Sequence, residues 1–131
     1  NSPWLRGDFG KELQQREWNY LEYELSNTPT DCEHRFVVTH WPLFNRCPDE
    51  ENTYWNMPNR QAMLDLFKKH NVSCILSGHW QQDIDANWDG ISLITSVGTA
   101  MALQYPEELS FKVVTVFKGG WSARRVSVTG G

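Results

Sequence analysis

The chain has 131 residues, of which 40% are hydrophobic and 13% aromatic, and its formal net charge is −4. This length suits one compact domain with its own core and is too short for two ordinary domains. The charge leaves no basic stripe for nucleic acid and no polybasic segment for a membrane surface, and no apolar stretch approaches the roughly 20 residues that span a bilayer. We therefore expect neither nucleic acid nor a membrane as a partner.

The first predicted element is an amphipathic helix over about residues 10–26, which the residues Asn27-Thr28-Pro29 bring to an end. Its apolar face repeats at close to helical spacing, with charged residues left for solvent. The residues of this face are Leu13, Trp18, Leu21 and Leu25.

Two apolar runs, residues 35–44 and 72–81, follow and read as buried strands. Between them lie a polar loop, residues 45–56, and a second helix in which Pro58 suits the first turn. The apolar stripe of that helix is Ala62, Met63, Leu66 and Phe67. The order strand, helix, strand predicts a parallel pair joined by a right-handed crossover.

The last third of the chain is prone to β-structure over residues 91–97, 111–118 and 121–128. Gly119-Gly120 indicates a hairpin between the last two runs, because both turn positions tolerate positive φ. The predicted fold class is therefore α/β: a parallel strand-helix-strand unit followed by antiparallel strands. No linker or repeat divides the sequence, so we treat residues 1–131 as parts of a single domain.

A histidine lies just past the end of each predicted buried strand, His40 after the first and His79 after the second. Ligands of open α/β sheets bind outside the carboxyl ends of the strands, so this position favours a shared functional site over two separate structural histidines. Gly78 adds to this, because a glycine allows the backbone a sharp turn or a close approach at the strand end.

The cysteines Cys32, Cys47 and Cys74 are odd in number and lack Cys-x-x-Cys spacing. This pattern indicates neither a disulfide framework nor a zinc knuckle and fits a reducing, cytoplasmic compartment. The chain opens on Asn1-Ser2-Pro3-Trp4 without an initiator methionine. We therefore expect it to be a segment of a larger chain.

The segments His40-Trp41-Pro42-Leu43-Phe44 and Ser77-Gly78-His79 resemble the last two metal motifs of the calcineurin-like metallophosphoesterases. In that family a strand-ending histidine precedes a Pro-Leu-Phe-type segment, and a later Gly-His-x-His turn supplies two more ligands. The resemblance extends from Asn1 to about Val128, is weaker beyond Asp85, and is closest to the calcineurin-like phosphoesterase domain-containing protein phosphatases.

The resemblance implies the C-terminal half of a metallophosphoesterase-type α/β sandwich with a dinuclear metal centre of Fe, Zn or Mn. Such a centre hydrolyses phosphate esters, here a phosphomonoester or a phosphoprotein. His40 and His79 would both bind the second metal. The Asp-x-His, Gly-Asp-x-x-Asp and Gly-Asn-His motifs of the family are absent from this sequence. The N-terminal half of the domain would therefore lie outside this chain and complete the site.

Gln81 stands where the family has the second histidine of Gly-His-x-His. Its amide oxygen is a weaker ligand than an imidazole nitrogen, so one metal position should be weakened. Asp83 or Asp85 could substitute as an oxygen ligand, although acidic residues in a turn are usually only solvated. Two interpretations remain open: Gln81 is a tolerated change in an active hydrolase, or the domain is a pseudoenzyme that serves as a binding or structural module in a larger assembly.

Aromatic residues gather near the predicted site and suggest walls of a substrate pocket. Trp41 and Trp80 adjoin the two histidines, and Trp55 and Asn56 lie in the loop between them. The alternative is ordinary packing, because tryptophan is highly buried on average. The sequence alone leaves both roles open.

Overall fold

The computed structural model describes residues 7–50, 59–100 and 108–128. Along these ranges the chain forms helix α1 (Gly7–Ser26), strand β1 (Phe36–Thr39), helix α2 (Arg60–Lys69) and strands β2 (Cys74–Ser77), β3 (Ile84–Trp88), β4 (Ile91–Thr95), β5 (Ser110–Phe117) and β6 (Gly120–Ser127). The predicted α/β class is confirmed. Neither of these helices combines the length and the apolar character that a membrane crossing needs.

Helix α1 ends at Ser26, as predicted, because the next side chains satisfy carbonyls of its last turn. Asn27 Nδ2 donates to the carbonyl of Tyr23 at 2.7 Å, and Thr28 Oγ1 donates to that of Glu24 at 3.0 Å. The helix buries Leu25 in the core, with the predicted Trp18 and Leu21 packed against it. The side chain of Leu13 lies outside what the structure describes.

Helix α2 also presents an apolar face to the core, but the face differs by one residue from the predicted stripe. Met63, Leu66 and Phe67 are buried as expected, whereas Ala62 is exposed and Leu64 is fully buried. Burying a leucine removes more apolar surface from water than burying an alanine, which accounts for the orientation of the helix. Pro58, expected in the first turn, lies outside the described residues.

The predicted parallel strand pair, β1 and β2, forms one side of the main sheet. This sheet has the order β1-β2-β4-β3, and β1, β2 and β4 run parallel. At the carboxyl ends of these strands Thr39 pairs with Ser77, and Ser77 pairs with Thr95. Helices α1 and α2 and the segment after β1 cover the sheet, and the shared core includes Leu43, Phe44, Phe67, Ile75 and Leu93.

Strand β3 was not predicted. Its sequence, Ile84 to Trp88, carries Asp and Asn, which are depleted in strands, and these polar residues hide its alternation. A signal was present nonetheless. Asp89-Gly90 follows with φ of 49° and 87°, the two positive values that a type I′ turn requires, and Trp88 pairs with Ile91 across it. The dipeptide Asp-Gly after an alternating run is therefore what reveals the β3–β4 hairpin.

The hairpin of β5 and β6 is confirmed, with its turn one residue earlier than expected. Phe117 pairs with Gly120, so Lys118 and Gly119 occupy the turn, and of the two glycines only Gly119 has a positive φ, at 80°. The hairpin forms its own two-stranded sheet. It packs against the main sheet through an edge-to-face contact of Trp121 with Phe36, whose ring centroids lie 5.6 Å apart.

We expect Gly119→Ala to destabilise the protein by about 1 kcal/mol, because a side chain at this left-handed position is strained. Lys118→Ala is the matched control in the same turn and should leave the free energy of unfolding unchanged. Urea unfolding of both variants measures the effect. Equal transition midpoints for the two variants would contradict the assignment of the turn.

Candidate metal-binding site

The parallel pairing of β1 and β2 brings the two predicted site histidines together. His40 directly follows β1, and His79 lies two residues beyond β2. The amide of Gly78 donates to the carbonyl of His40 at 3.2 Å, which continues the pairing past the strands. The rings then meet, with His40 Nε2 at 2.9 Å from His79 Nδ1, and both side chains are exposed.

His79 occupies the central position of a tight, strained turn. The amide of Trp80 donates to the carbonyl of Gly78 at 2.6 Å, and His79 between them has a φ of 60°. This three-residue ring with a positive central φ is the rare and strained form of the γ-turn. Gln81 is also left-handed, with a φ of 55°. Such strain in residues other than glycine is concentrated at functional sites, so the turn is a candidate in its own right.

The expected role of Gly78 is wrong. Gly78 is not among the residues with positive φ, and a Cβ placed on it would meet no atom within 4 Å. Neither a left-handed conformation nor a close approach therefore requires glycine here. The left-handed residues are His79 and Gln81, so the sharp turn lies at the histidine itself and one step beyond it.

Trp41 packs on both histidines. Its ring centroid lies 3.5 Å from that of His79 at an interplanar angle of 36°, and 5.8 Å from that of His40 at 83°. Trp80 lies elsewhere: it is buried, and its indole Nε1 donates to Gln82 Oε1 at 2.6 Å. Trp41 is thus beside the site, and Trp80 anchors the following turn. The other predicted pocket residues, Trp55 and Asn56, lie outside the described residues.

The two carboxylates considered as substitute ligands are committed to the β5–β6 hairpin. Asp83 Oδ1 and Asp85 Oδ1 lie 2.7 Å and 2.8 Å from Lys112 Nζ, and Asp83 Oδ2 lies 3.2 Å from Arg125 Nη1. Across the residues that the structure describes, no group of three or more His, Cys, Asp and Glu side chains could hold a metal ion. This chain therefore offers the histidine pair as a partial ligand set.

The histidine pair itself fits a shared metal ion. Metal–nitrogen bonds of about 2.0–2.1 Å let one ion reach two nitrogens that are as close as these. Metal binding needs both imidazoles neutral and both facing lone pairs free, whereas the hydrogen bond between them uses one ring as donor and the other as acceptor. A metal would therefore replace the hydrogen bond between His40 and His79.

The electrostatics favour the neutral form of His79. Partial burial and, secondly, the neighbouring His40 lower the pKa of His79 from its ordinary 6.5. A neutral imidazole is the form that binds metals, so this residue stays competent as a ligand to lower pH than a free histidine would. Because the folded state then binds fewer protons than the unfolded state, this histidine makes the protein less stable as the pH falls through that range.

Three residues that contact the segment following His79 were not identified from the sequence. Thr95, only 1% exposed, donates to the carbonyl of Gln82 and accepts from the amide of Ile84 at 3.2 Å. Lys112 and Arg125 reach the same segment from the hairpin. In the sequence, Thr95 resembles any strand residue, and Lys112 and Arg125 resemble ordinary solvated surface charges. No local sequence pattern therefore identifies these three residues as part of the site's surroundings.

Comparison with known proteins finds partial sequence similarity to phosphatases. No protein-family model matches the chain. It is 33% identical over 88 residues to serine/threonine-protein phosphatase CPPED1 of Danio rerio and 27% identical over 111 residues to that of Homo sapiens. These matches cover 65% and 81% of this chain, but only 28% and 35% of the relatives. The chain thus spans about a third of the length of the curated relatives it matches.

We expect the pKa of His79 to lie below 6.5 and to rise in the variant His40→Ala, because that change removes the second cause of the shift. It should stay below 6.5 in the variant, since the burial remains. Titration of the ring resonances by NMR measures both values. A short peptide containing Gly-His-Trp serves as the unfolded reference, and a pKa of His79 at or above that of the peptide would contradict the prediction.

Proposed function

We propose that this chain belongs to a metal-dependent phosphoesterase, a hydrolase of the calcineurin-like metallophosphoesterase type, and contributes two ligands to its metal centre. The observation that carries the proposal is the 2.9 Å approach of His40 Nε2 to His79 Nδ1 at the carboxyl edge of a parallel sheet. The phosphatase names of the relatives support the reaction class. The substrate would be a phosphomonoester or a phosphoprotein.

In this proposal His40 and His79 bind one of two ions through the nitrogens that now face each other. Imidazole ligands suit Fe, Zn and Mn. Metal ions in such a centre lower the pKa of bound water and neutralise the phosphoryl oxygens. The chain's own contribution is to hold the two rings: the strand pairing fixes their separation, and Trp41 packs against both.

The remaining ligands would come from the N-terminal half of the same domain, outside this chain. The size of the relatives supports this, because the chain corresponds to only 28–35% of their length. Strand β1 supports it as well. It stands first in the order of the described sheet, and Val38 on it is 78% exposed. A cavity of about 250 Å³ beside it is lined by apolar side chains such as Leu21 and Met63, which suits packing against further protein.

A second function is favoured by Gln81. If this residue replaces a metal-binding histidine, the domain would hold one metal weakly and act as a binding or structural module in a larger assembly. The pairing of Asp83 and Asp85 with Lys112 supports this alternative, because those carboxylates are already occupied. We prefer the phosphoesterase, since the two remaining histidines keep a geometry that suits a metal.

The compartment proposed for the protein is the cytoplasm. Cys32, Cys47 and Cys74 are all free thiols, and the first two are exposed. Burial raises the pKa of Cys74 to about 12, with a further contribution from Asp85, so this thiol stays protonated. Unpaired cysteines of this kind fit a reducing environment.

We expect the natural full-length protein to hold no more than one tightly bound metal ion per chain and to release phosphate from a generic aryl phosphate. Gln81→His should raise the metal content, because an imidazole nitrogen is a better ligand than an amide oxygen. Elemental analysis and phosphate release measure the two properties.

Matched variants separate the outcomes of this experiment. His40→Ala and His79→Ala should each lower the metal content and abolish turnover, whereas His34→Ala, a histidine away from the site, should leave both unchanged. Two metals at full occupancy in the natural protein would refute the weakening assigned to Gln81. Metal binding without any turnover would favour the binding module.

A further inference from the structure

The strained turn at His79 is followed by a segment that contacts both the main sheet and the hairpin. Two left-handed residues, His79 and Gln81, lie on either side of Trp80. Strained conformations persist only where the surrounding structure fixes them. Trp80, which precedes Gln81, is buried. After Gln81 the chain continues into residues 83–85, at the start of β3. The contacts of residues 83–85 therefore decide how firmly the turn is held.

That segment closes around a single buried ammonium group from the hairpin. The side chain of Lys112 is 6% exposed, and its Nζ lies 2.7 Å from Asp83 Oδ1, 2.8 Å from Asp85 Oδ1 and 3.1 Å from the carbonyl oxygen of Ile84. Lys112 Nζ donates hydrogen bonds to Asp85 Oδ1 and to the carbonyl of Ile84, and its contact with Asp83 Oδ1 is an ion pair. The lysine thus fixes both side chains and backbone within six residues of His79.

Arg125 reinforces the same contact from the neighbouring strand. It pairs directly with Lys112 in the β5–β6 register, an arrangement of like charges that would ordinarily be unfavourable. Asp83 resolves the conflict, because its two oxygens face the two cations, Lys112 at 2.7 Å and Arg125 at 3.2 Å. Arg125 Nη2 also donates to the carbonyl of Glu108 at 2.7 Å, which directs the guanidinium toward this place.

We propose that Lys112 and Arg125 are positioning residues, which hold the His79 turn in its strained conformation by binding Asp83 and Asp85. The pair of Lys112 and Asp83 is largely buried, with side chains 6% and 22% exposed, whereas Asp85 is 70% exposed. Largely buried ion pairs add little net stability compared with apolar packing, but they can specify one conformation. Here the specified conformation is the one that sets His79 against His40. The proposal rests on the proposed function only where it concerns metal affinity, since the positioning itself concerns the metal-free chain.

The test compares Lys112→Met and Arg125→Met with Arg124→Met in the full-length protein. Methionine keeps most of the length of each side chain and removes the charge. Arg124 is exposed on the same strand as Arg125 and faces Val113, so it controls for the loss of a hairpin cation. Lys112→Arg tests rescue, because it restores a cation between the two carboxylates.

Two readouts distinguish positioning from stability alone. In the metal-free protein, NMR should show that Lys112→Met changes the His79 ring resonances and speeds hydrogen exchange of the Trp80 amide by at least tenfold, with β1 and β2 amides unchanged. With Zn²⁺ alone as the probe, affinity should fall by roughly tenfold, the effect typical of lost outer-sphere support. Arg125→Met should show the same changes to a smaller degree, Arg124→Met none, and Lys112→Arg should recover part of the loss.

Wild-type His79 resonances and Trp80 exchange in a folded Lys112→Met variant would overturn the proposal. If Lys112→Met fails to fold, the same comparison applies to Arg125→Met. If the natural protein binds no Zn²⁺, the proposed function fails, and the NMR comparison still decides whether the hairpin positions His79.

Discussion

The parallel pairing of β1 with β2 is the constraint on which the candidate site depends. Four consecutive residue pairs, ending in Thr39 opposite Ser77, fix where both strands stop. The histidines follow within two residues, so the sheet places their backbones side by side. Helix α2 makes this pairing possible, because it spans the crossover and buries Phe67 and its neighbours against the same sheet. The 2.9 Å contact between the imidazoles therefore requires this sheet register.

Strand pairing alone leaves the direction of the second ring undetermined, since His79 lies beyond the last paired residue of β2. A strained γ-turn sets that direction, and the contacts that hold it come from elsewhere in the chain: Thr95 at the end of β4 and the two cations of the β5–β6 hairpin. Among the described strands, the hairpin makes no strand ladder with the main sheet. The hairpin contacts the segment after His79 through the charged side chains of Lys112 and Arg125 and not through backbone pairing.

The sequence predicted the features that depend on the periodicity of apolar residues and on the order of elements. It did not predict conformations and burial that depend on residues distant in the sequence. The α/β class, the parallel pair and the adjacent histidines follow from apolar runs and their sequence order. The left-handed φ of His79 could not be predicted in this way. The preceding Gly78 was the expected turn residue, but the positive φ belongs to His79. Nor could the burial of Lys112, which depends on two aspartates 27 and 29 positions earlier in the chain. Strand β3 is an intermediate case. The Asp89-Gly90 dipeptide after it indicates a hairpin turn, but the polar residues of the strand conceal its alternating pattern.

Gln81 takes on a different meaning once its backbone is considered. Gln81 is left-handed, with a φ of 55°, and adjoins the buried Trp80. Asp83 and Asp85 are already bound to Lys112, so they are poorly placed to bind a metal ion beside His79. The strained loop that positions His79 thus also limits which other residues of this chain can act as metal ligands next to it. A metal held here would depend on His40 and His79 from this chain, and on the rest of the protein for every other ligand.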